Sequence, residues 1–158
     1  MLNWREFSIQ NPDIAAATTR LLARNEVAFI ATVSSDAKPR MHPFVPKIVA
    51  NRLVAFIMDS SPKINDLRIR HCYAIHTLPG DEDEQLFLAG DASYCDDETA
   101  FRNRAATAMG FATGVDQHHI LYEFKLDRAL WTTWIDFGTQ SHRPEHRRWT
   151  FKKNNQEG

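Results

Sequence analysis

The chain has 158 residues, of which 43% are hydrophobic and 25% are charged, and its formal net charge is −1. This composition is typical of one globular domain; it excludes a disordered or fibrous protein and argues against one that coats nucleic acid, which needs a basic domain. No apolar run approaches the ~20 residues that span a bilayer, and the N-terminus lacks the apolar stretch of a secretory signal. We therefore expect a cytoplasmic protein without a membrane partner, in which Cys72 and Cys95 are reduced.

The first predicted element is a helix over residues 12–24. Asn11 is a favourable cap, Pro12 is tolerated at the first helical position, and the carboxylate of Asp13 favours the positive end of the helix dipole. The next segment, residues 27–34, is β-branched and aromatic without a helical period, which predicts a buried strand.

Two further extended segments follow at residues 40–50 and 53–58. We predict that they complete an antiparallel meander with the first strand. Pro43 and Pro46 cannot donate hydrogen bonds to a strand ladder. They therefore predict a sheet edge or a bulge within the second segment, where a ligand can approach the backbone.

The remaining elements are two short helices and five short strands. The helices are predicted over residues 60–70 and 97–110, and the strands over residues 72–78, 86–94, 119–126, 130–137 and 146–151. Helices do not alternate regularly with strands, which argues against a doubly wound sheet and favours a closed or partly closed antiparallel barrel with peripheral helices. We assign residues 1–153 to one domain and residues 154–158 to a polar tail.

The start of the helix at residue 60 has the composition of an anion site. A helix N-terminus presents unpaired N–H groups and the positive end of the dipole, and Ser60, Ser61 and Lys63 add two hydroxyls and an ammonium. A phosphate would fit there. The alternative is that Ser61 merely caps the helix and Lys63 is a solvated surface residue.

Arg40 and His42 lie two residues apart in an extended segment, so their side chains share one face of the predicted strand. If that strand pairs with the one that leads into Ser60, both cations can reach the same anion. The alternatives are a surface ion pair for Arg40 and a half-buried, hydrogen-bonded imidazole for His42.

The near-neutral total charge conceals an uneven distribution. Residues 1–80 contain ten Lys/Arg and six Asp/Glu, residues 81–141 contain four and twelve, and residues 142–158 contain five and two. The positive excess is local, which favours a small anion over a polymer as the partner.

Other candidate residues indicate less. His118 and His119 are adjacent in a predicted strand and point to opposite faces, and no Cys/His/carboxylate set has a metal-ligand spacing, so we predict no metal site. No nucleophile elbow, phosphate loop or dinucleotide motif occurs, and the catalytic residues stay unassigned. Trp131 and Trp134 also fall on opposite faces, so that one can pack in the core and the other can cover a flat ligand or a partner subunit.

Three stretches carry a family resemblance: FIATVSSDAKPRMHP at residues 29–43, LVAFIMDSSPK at residues 53–63, and the Asp66-Leu-Arg that follows. In order and spacing they resemble the pyridoxamine 5′-phosphate oxidase-like family of FMN-binding split barrels. The resemblance implies a mainly β fold, a six-stranded antiparallel Greek-key split barrel with short peripheral helices. It also implies a homodimer with FMN in a groove at the dimer interface.

The resemblance further implies a set of cofactor-binding residues. Arg40, Ser61 and Lys63 would hold the FMN phosphate with Ser60 nearby, Ile57 and Met58 would run under the isoalloxazine edge, and Trp134 and, from the other subunit, Arg148 would complete the site. A separate hypothesis, which does not come from the resemblance, is that His42 lies near the ring and tunes its potential.

Two departures from the oxidases argue against pyridoxine phosphate oxidation. The oxidases carry an Arg two residues before the position of His146, where this chain has Pro144, and a Lys five residues after Arg40, where it has Val45. We therefore expect an FMN-dependent oxidoreductase acting on another small organic substrate. The alternatives are a flavin-binding module without turnover, a barrel that holds deazaflavin or haem, and a dimeric scaffold without a ligand.

Overall fold

The computed structural model describes residues 1–95, 98–111 and 116–152. The predicted helix start at Asp97, the domain limit at residue 153 and the polar tail lie outside these residues. The helices are α1 (Trp4–Gln10), α2 (Pro12–Asn25), α3 (Pro62–Arg70) and α4 (Thr99–Ala108). The strands are β1 (Ala28–Val33), β2 (Pro39–Phe44), β3 (Lys47–Val49), β4 (Arg52–Met58), β5 (Cys72–Thr77), β6 (Gln85–Tyr94), β7 (His119–Ile135) and β8 (Arg143–Thr150), with a short 3-10 turn at Asp81–Asp83.

All the described strands belong to one antiparallel sheet in the order β2-β1-β5-β6-β7-β4-β3, and β8 pairs with residues 128–135 of β7. The mainly β, antiparallel prediction with peripheral helices is confirmed. Among the described strands β2 and β3 end the order without pairing to each other, so the sheet is not closed into a barrel.

The segment predicted as one extended strand over residues 40–50 is two strands, and this prediction is wrong. The ladder of β2 stops at Phe44, and after Val45 and Pro46 the chain continues as β3. β2 pairs with β1 and β3 pairs with β4, at opposite ends of the sheet. The edge predicted from Pro43 is confirmed, because a proline without an N–H is tolerated on the edge strand β2.

β7 replaces the two strands predicted on either side of residues 127–128. It is one strand of 17 residues, and its pairing with β6 shifts register where Ala89 faces Arg128 and Gly90 faces Leu126. Asp127 is the extra residue of a β-bulge, which bends a strand without ending it. The bulge lets the first part of β7 pair with β4 and the last part pair with β8.

The main core lies between the sheet and helices α1 and α2. Its fully buried side chains include Phe7, Leu21, Ile30, Leu53 and Phe124. Each such side chain contributes roughly 1.5–3 kcal/mol of burial free energy. A second cluster packs α4 on the opposite face of β4 and β7 through Val49, Val54, Phe101, Ala105 and Leu121.

The helices are short. α1, which the sequence analysis did not predict, begins at Asn3 with a capping box to Glu6 and buries Trp4 and Phe7. α2 is the longest helix of the described chain, with 14 residues. None of the helices in the described ranges has the length and apolar character that crossing a membrane requires.

Candidate functional site

A cavity of about 340 Å³ opens where β4 runs into α3. This volume is in the range of small-molecule sites. Its walls are mostly apolar. They are formed by Pro43 near the end of β2, Phe56 and Met58 on β4, and Met109 and Phe111 after α4. The break between β2 and β3 thus leaves the backbone of the edge strand beside the cavity, as the prolines predicted.

At the start of α3 lies a hydroxyl that has no hydrogen-bond partner among the described residues. Ser61 is the N-cap residue with extended backbone angles and Pro62 is the first helical residue, but the Ser61 side chain makes no capping hydrogen bond. Ser61 lines the cavity, so its hydroxyl and the first amides of α3 remain for a ligand. Ser60 lies exposed in the preceding turn and is not among the cavity-lining residues.

Lys63 is the cation of the cavity wall. Its side chain is half-buried, and this burial lowers the pKa of the ammonium below its usual value. In the described part of the chain no carboxylate lies within 4.0 Å of Lys63. A partly desolvated ammonium without a counterion attracts an anion more strongly than one in bulk water.

Arg40 and His42 lie on β2, which pairs with β1 and not with β4, so the predicted pairing with the strand that leads into Ser60 is wrong. They do share one face, because Arg40 is opposite the buried Thr32 and His42 is opposite the buried Ile30. Arg40 still reaches α3 by another route. Its Nη1 lies 3.5 Å from Oδ1 of Asp66 on that helix.

The environment of His42 is buried and positively charged. Its Nε2 is buried and has no hydrogen-bond partner in the described structure. Burial, Lys63 and Arg40 lower the pKa of the imidazole, and Asp66 opposes them. At neutral pH His42 is therefore an uncharged ring with a buried polar atom that lacks a partner. Neither Arg40 nor His42 is among the residues that line the cavity.

Asp66 was not predicted as a site residue, although it occurs in the family-like stretch. Its side chain is 1% exposed, and Oδ2 accepts a 2.8 Å hydrogen bond from the hydroxyl of Thr32. Its other oxygen has no hydrogen bond and faces Arg40. An Asp beside Leu67 on the buried side of a short helix is the signal that could have identified it.

Ile57 and Met58 end β4, in agreement with the strand predicted over residues 53–58, and both line the cavity. Ile57 is 2% exposed and Met58 is 52% exposed, so only the backbone and the Met58 side chain are accessible. Met58 is paired with His119, the first residue of β7, which also lines the cavity.

Sequence reasoning treated His118 and His119 only as metal ligands and missed that they bind different carboxylates. Nδ1 of His118 lies 3.0 Å from Asp59, and Nδ1 of His119 lies 2.8 Å from Asp116. The Asp59 carboxylate raises the pKa of His118. Within the described ranges no group of three ligating side chains could hold a metal ion.

No family model and no curated protein matches the chain significantly. Solved structures do. A pyridoxamine 5′-phosphate oxidase-related, FMN-binding protein from Nostoc punctiforme has a TM-score of 0.62 at 15% identity over 89% of this chain and 97% of its own. The fold is that of a pyridoxamine 5′-phosphate oxidase-like split barrel.

The same split barrel is found in proteins with other ligands. A haem-binding protein from Mycobacterium smegmatis matches with a TM-score of 0.63 at 18% identity over 87% of this chain, which spans 58% of that protein. PhzG from Burkholderia lata, solved with tetrahydrophenazine-1-carboxylic acid, matches with a TM-score of 0.58 at 14% identity over 95% of this chain and 93% of its own. Such identities establish the fold and leave the ligand open.

Trp134 and Arg148 are not among the residues that line the cavity. Trp134 on β7 pairs with Pro144 on β8, and Leu130 on β7 pairs with Arg148 on β8. Between His119 and Trp134 runs on the order of 50 Å of extended strand. Trp134 is thus not brought to the other predicted site residues within one chain.

The two tryptophans do point to opposite faces, as their spacing predicted. Trp131 packs against the main core, and its indole N–H donates to Glu84 at 2.7 Å. Trp134 lies on the outer face, where its ring contacts His142 at a centroid distance of 5.5 Å.

The outer face carries a row of aligned residues across six strands. Cα pairing places them in the order Pro43, Phe29, His76, Phe87, Leu130 and Arg148. Phe29 is 36% exposed, and Met41 on the same face is 69% exposed. An exposed apolar surface of this kind is characteristic of a protein interface.

Proposed function

We propose that this split barrel is an FMN-binding flavoprotein that acts as an oxidoreductase on a small organic substrate. The observation that carries the proposal is the unpartnered Ser61 hydroxyl at the start of α3, beside the partly desolvated Lys63, at one end of an apolar cavity. A ligand that carries an anionic group and a flat apolar ring would match the polar start of α3 and the apolar cavity, respectively.

The phosphate end is supported by residues from two elements. Ser61 supplies a hydroxyl, the first turn of α3 supplies backbone N–H groups, and Lys63 supplies a positive charge. Arg40 adds a guanidinium that is 41% exposed and anchored on Asp66. These residues fit a phosphate monoester better than a neutral group.

The ring end is supported by the shape and chemistry of the walls. Phe56 and Phe111 meet edge to face with ring centroids 5.8 Å apart, and Met58 and Met109 lie beside them. Aromatic and thioether side chains favour contact with a flat conjugated ring. The backbone at Ile57 and Met58 then lies at the ring's edge.

A bound flavin supplies hydride transfer, and the chain supplies binding, orientation and the surrounding electrostatics. Ser61 and Lys63 fix one end of the ligand, and the apolar walls exclude water from the other. No catalytic base is required for hydride transfer itself.

We propose further that the active form is a homodimer formed through the outer face. Trp134 and Arg148 share that face with the exposed Phe29, and they reach a cavity only if a second copy brings them there. The apolar row supplies the contact area, and Arg148 supplies a cation complementary to a bound phosphate or an acidic substrate. The small-molecule substrate would enter between the two copies.

The experiment compares FMN with riboflavin, which lacks the phosphate, by fluorescence titration of the purified protein. FMN should bind and riboflavin should bind much more weakly. Arg40→Glu combined with Lys63→Glu should lower FMN affinity by more than tenfold, which is about 1.4 kcal/mol. Lys38→Glu, at an exposed residue in the turn before β2, is the matched control and should leave the affinity unchanged.

Equal affinity for FMN and riboflavin, or an unaffected double variant, would contradict the phosphate site. Purified protein with a Soret band in place of flavin absorption would favour haem as the resident group. Retention of FMN without any reoxidation by added acceptors would favour a binding module over an oxidoreductase.

A further inference from the structure

His119 and Asp116 form a carboxylate–imidazole pair at the cavity wall. Nδ1 of His119 lies 2.8 Å from Oδ1 of Asp116, and His119 lines the cavity beside Phe111, whose ring lies 5.8 Å away between centroids. A carboxylate only accepts hydrogen bonds, so Nδ1 carries the proton of this bond. Nε2 is therefore the ring nitrogen that can exchange a proton with a ligand.

The backbone around this pair is held in place by α4. The guanidinium of Arg102 donates to the carbonyl oxygens of Asp116 and His119, both at 2.8 Å. The same guanidinium lies over the ring of Phe56, another cavity residue. Asp116 also accepts a hydrogen bond from the amide of His118. Asp116 thus holds the imidazole, and Arg102 holds the backbone that carries both residues.

We propose that His119, oriented by Asp116, is the acid–base residue of this cavity and exchanges a proton with the bound organic substrate. The inference rests on the proposed function and adds the residue that handles the proton. The arrangement is that of a general acid–base in which a carboxylate fixes the imidazole tautomer.

The proton balance is simple for a quinone acceptor. Its reduction to a hydroquinone adds one hydride and one proton, and a bound reduced flavin would supply the hydride. The proton comes from Nε2 of the His119 imidazolium, which becomes neutral and recovers a proton from water. A carbonyl or activated alkene acceptor has the same balance.

Three charged side chains of the described residues lie beside His119 or line the same cavity. Asp116 faces it from the preceding turn, Arg102 from α4, and Lys63 lines the same cavity from α3. The neighbouring His118 forms a hydrogen bond with Asp59 instead. Its side chain is 63% exposed and does not line the cavity. His118 therefore offers a matched control: a histidine with a carboxylate partner outside the cavity.

The test uses the full chain loaded with FMN and compares wild type with His119→Gln, Asp116→Asn and the control His118→Gln. Stopped-flow oxidation of dithionite-reduced, protein-bound FMN by menadione is followed from about pH 5.5 to 8.5. We expect His119→Gln to be slower by roughly tenfold or more at low pH and to lose the pH dependence. Asp116→Asn should be intermediate, and His118→Gln should match wild type.

A second readout does not depend on turnover. When oxidised FMN is added to the FMN-free protein, the imidazole Cε1–H resonance of His119 should shift in the NMR spectrum. That of His118 should not. If His119→Gln folds poorly, Asp116→Asn gives the same kinetic test with the imidazole retained.

The outcomes separate the two proposals. Failure of wild type to bind FMN would overturn the proposed function, and this inference with it. Normal FMN binding with a His119→Gln variant that keeps the wild-type rate and pH profile would overturn the inference alone, as would an unshifted His119 resonance.

Discussion

The guanidinium of Arg40 lies 3.5 Å from the carboxylate of Asp66, a side chain that is only 1% exposed. The pair joins the edge strand β2 to α3, and the hydroxyl of Thr32 on β1 completes the link through its 2.8 Å bond to Asp66. A buried carboxylate needs such partners because water cannot solvate it. Arg40 therefore stabilises the fold, whether or not it also has the proposed role at the phosphate site.

Arg40→Met should destabilise the protein by about 2 kcal/mol. Exposed ion pairs contribute up to ~1 kcal/mol and breaking a buried pair costs ~3–5 kcal/mol, and Arg40 is half-exposed while Asp66 is buried. Urea denaturation measures the loss. In an Asp66→Asn background, where no buried charge remains, Arg40→Met should cost much less. The same loss in both backgrounds would show that the two residues are not coupled.

Ser61→Ala should leave stability within about 0.5 kcal/mol of wild type and weaken FMN binding. A capping serine normally contributes about 1 kcal/mol, but the Ser61 hydroxyl makes no capping bond. Urea denaturation and FMN titration on one preparation check both parts. Asn3→Ala is the matched control, since Asn3 accepts a 2.9 Å capping bond from Glu6 and should cost about 1 kcal/mol without affecting FMN.

Much of the strand order along the chain could be predicted from local pattern, and the exceptions have physical causes. A pattern of alternating residues does not show whether a strand passes through a bulge, so the single residue Asp127 in β7 was taken as a strand boundary. At Val45 and Pro46 two strands were predicted as one, because the backbone stays extended while the pairing changes from β1 to β4. α1 is only seven residues long, too short for a helical period to be recognised.

The candidate site was predictable where it is local in sequence. Ser61 and Lys63 are two residues apart at one helix start, and composition alone indicated an anion site there. The pairing of Asp116 with His119 matters because His119 lines the cavity, whose other walls come from β2, β4, the start of α3 and the residues after α4. Such a juxtaposition of distant segments depends on tertiary packing and is absent from any local pattern.

Gly90 lies at the β7 bulge, and Gly90→Ala should destabilise the protein by roughly 1–3 kcal/mol. A Cβ at this position would lie 1.9 Å from the carbonyl oxygen of Lys125, a backbone atom that cannot turn away. Urea denaturation checks the loss. Gly80→Ala is the comparison and should cost less, because its Cβ would lie 2.6 Å from the terminal methyl of the buried Leu21, a side-chain contact and not a backbone one. Equal effects in the two variants would contradict the role of the bulge.

The lowered pKa of His42 should make stability fall on acidification. The unfolded imidazole titrates near ~6.5 and the folded one at lower pH, so between these values the unfolded state binds more protons. Its contribution is complete above pH ~6.5 and is lost as the pH falls towards the folded pKa. His42→Leu should lose less stability than wild type over this interval, as measured by urea denaturation at several pH values.

His118 would act in the opposite sense and is the natural background for that measurement. Asp59 raises the pKa of His118, so its contribution is complete below pH ~6.5 and is lost as the pH rises through the folded pKa. Comparing His42→Leu with its parent in His118→Gln protein removes this opposing slope. A wild-type profile that His42→Leu leaves unaltered would contradict the buried, uncharged state of His42.

Phe29→Glu should convert the proposed homodimer to a monomer and weaken FMN binding together. Phe29 lies within the outer-face row, is 36% exposed and makes no contribution to the core cluster, so the charge should disturb association without unfolding the chain. Stable dimers bury about 800 Å² on each partner, and a glutamate there would have to be desolvated. Light scattering after size exclusion measures the mass, and titration measures FMN affinity. Ile69→Glu, on an exposed part of α3 outside the row, should change neither. A monomeric variant that binds FMN as wild type does would show that Trp134 and Arg148 of a second copy are not part of the site.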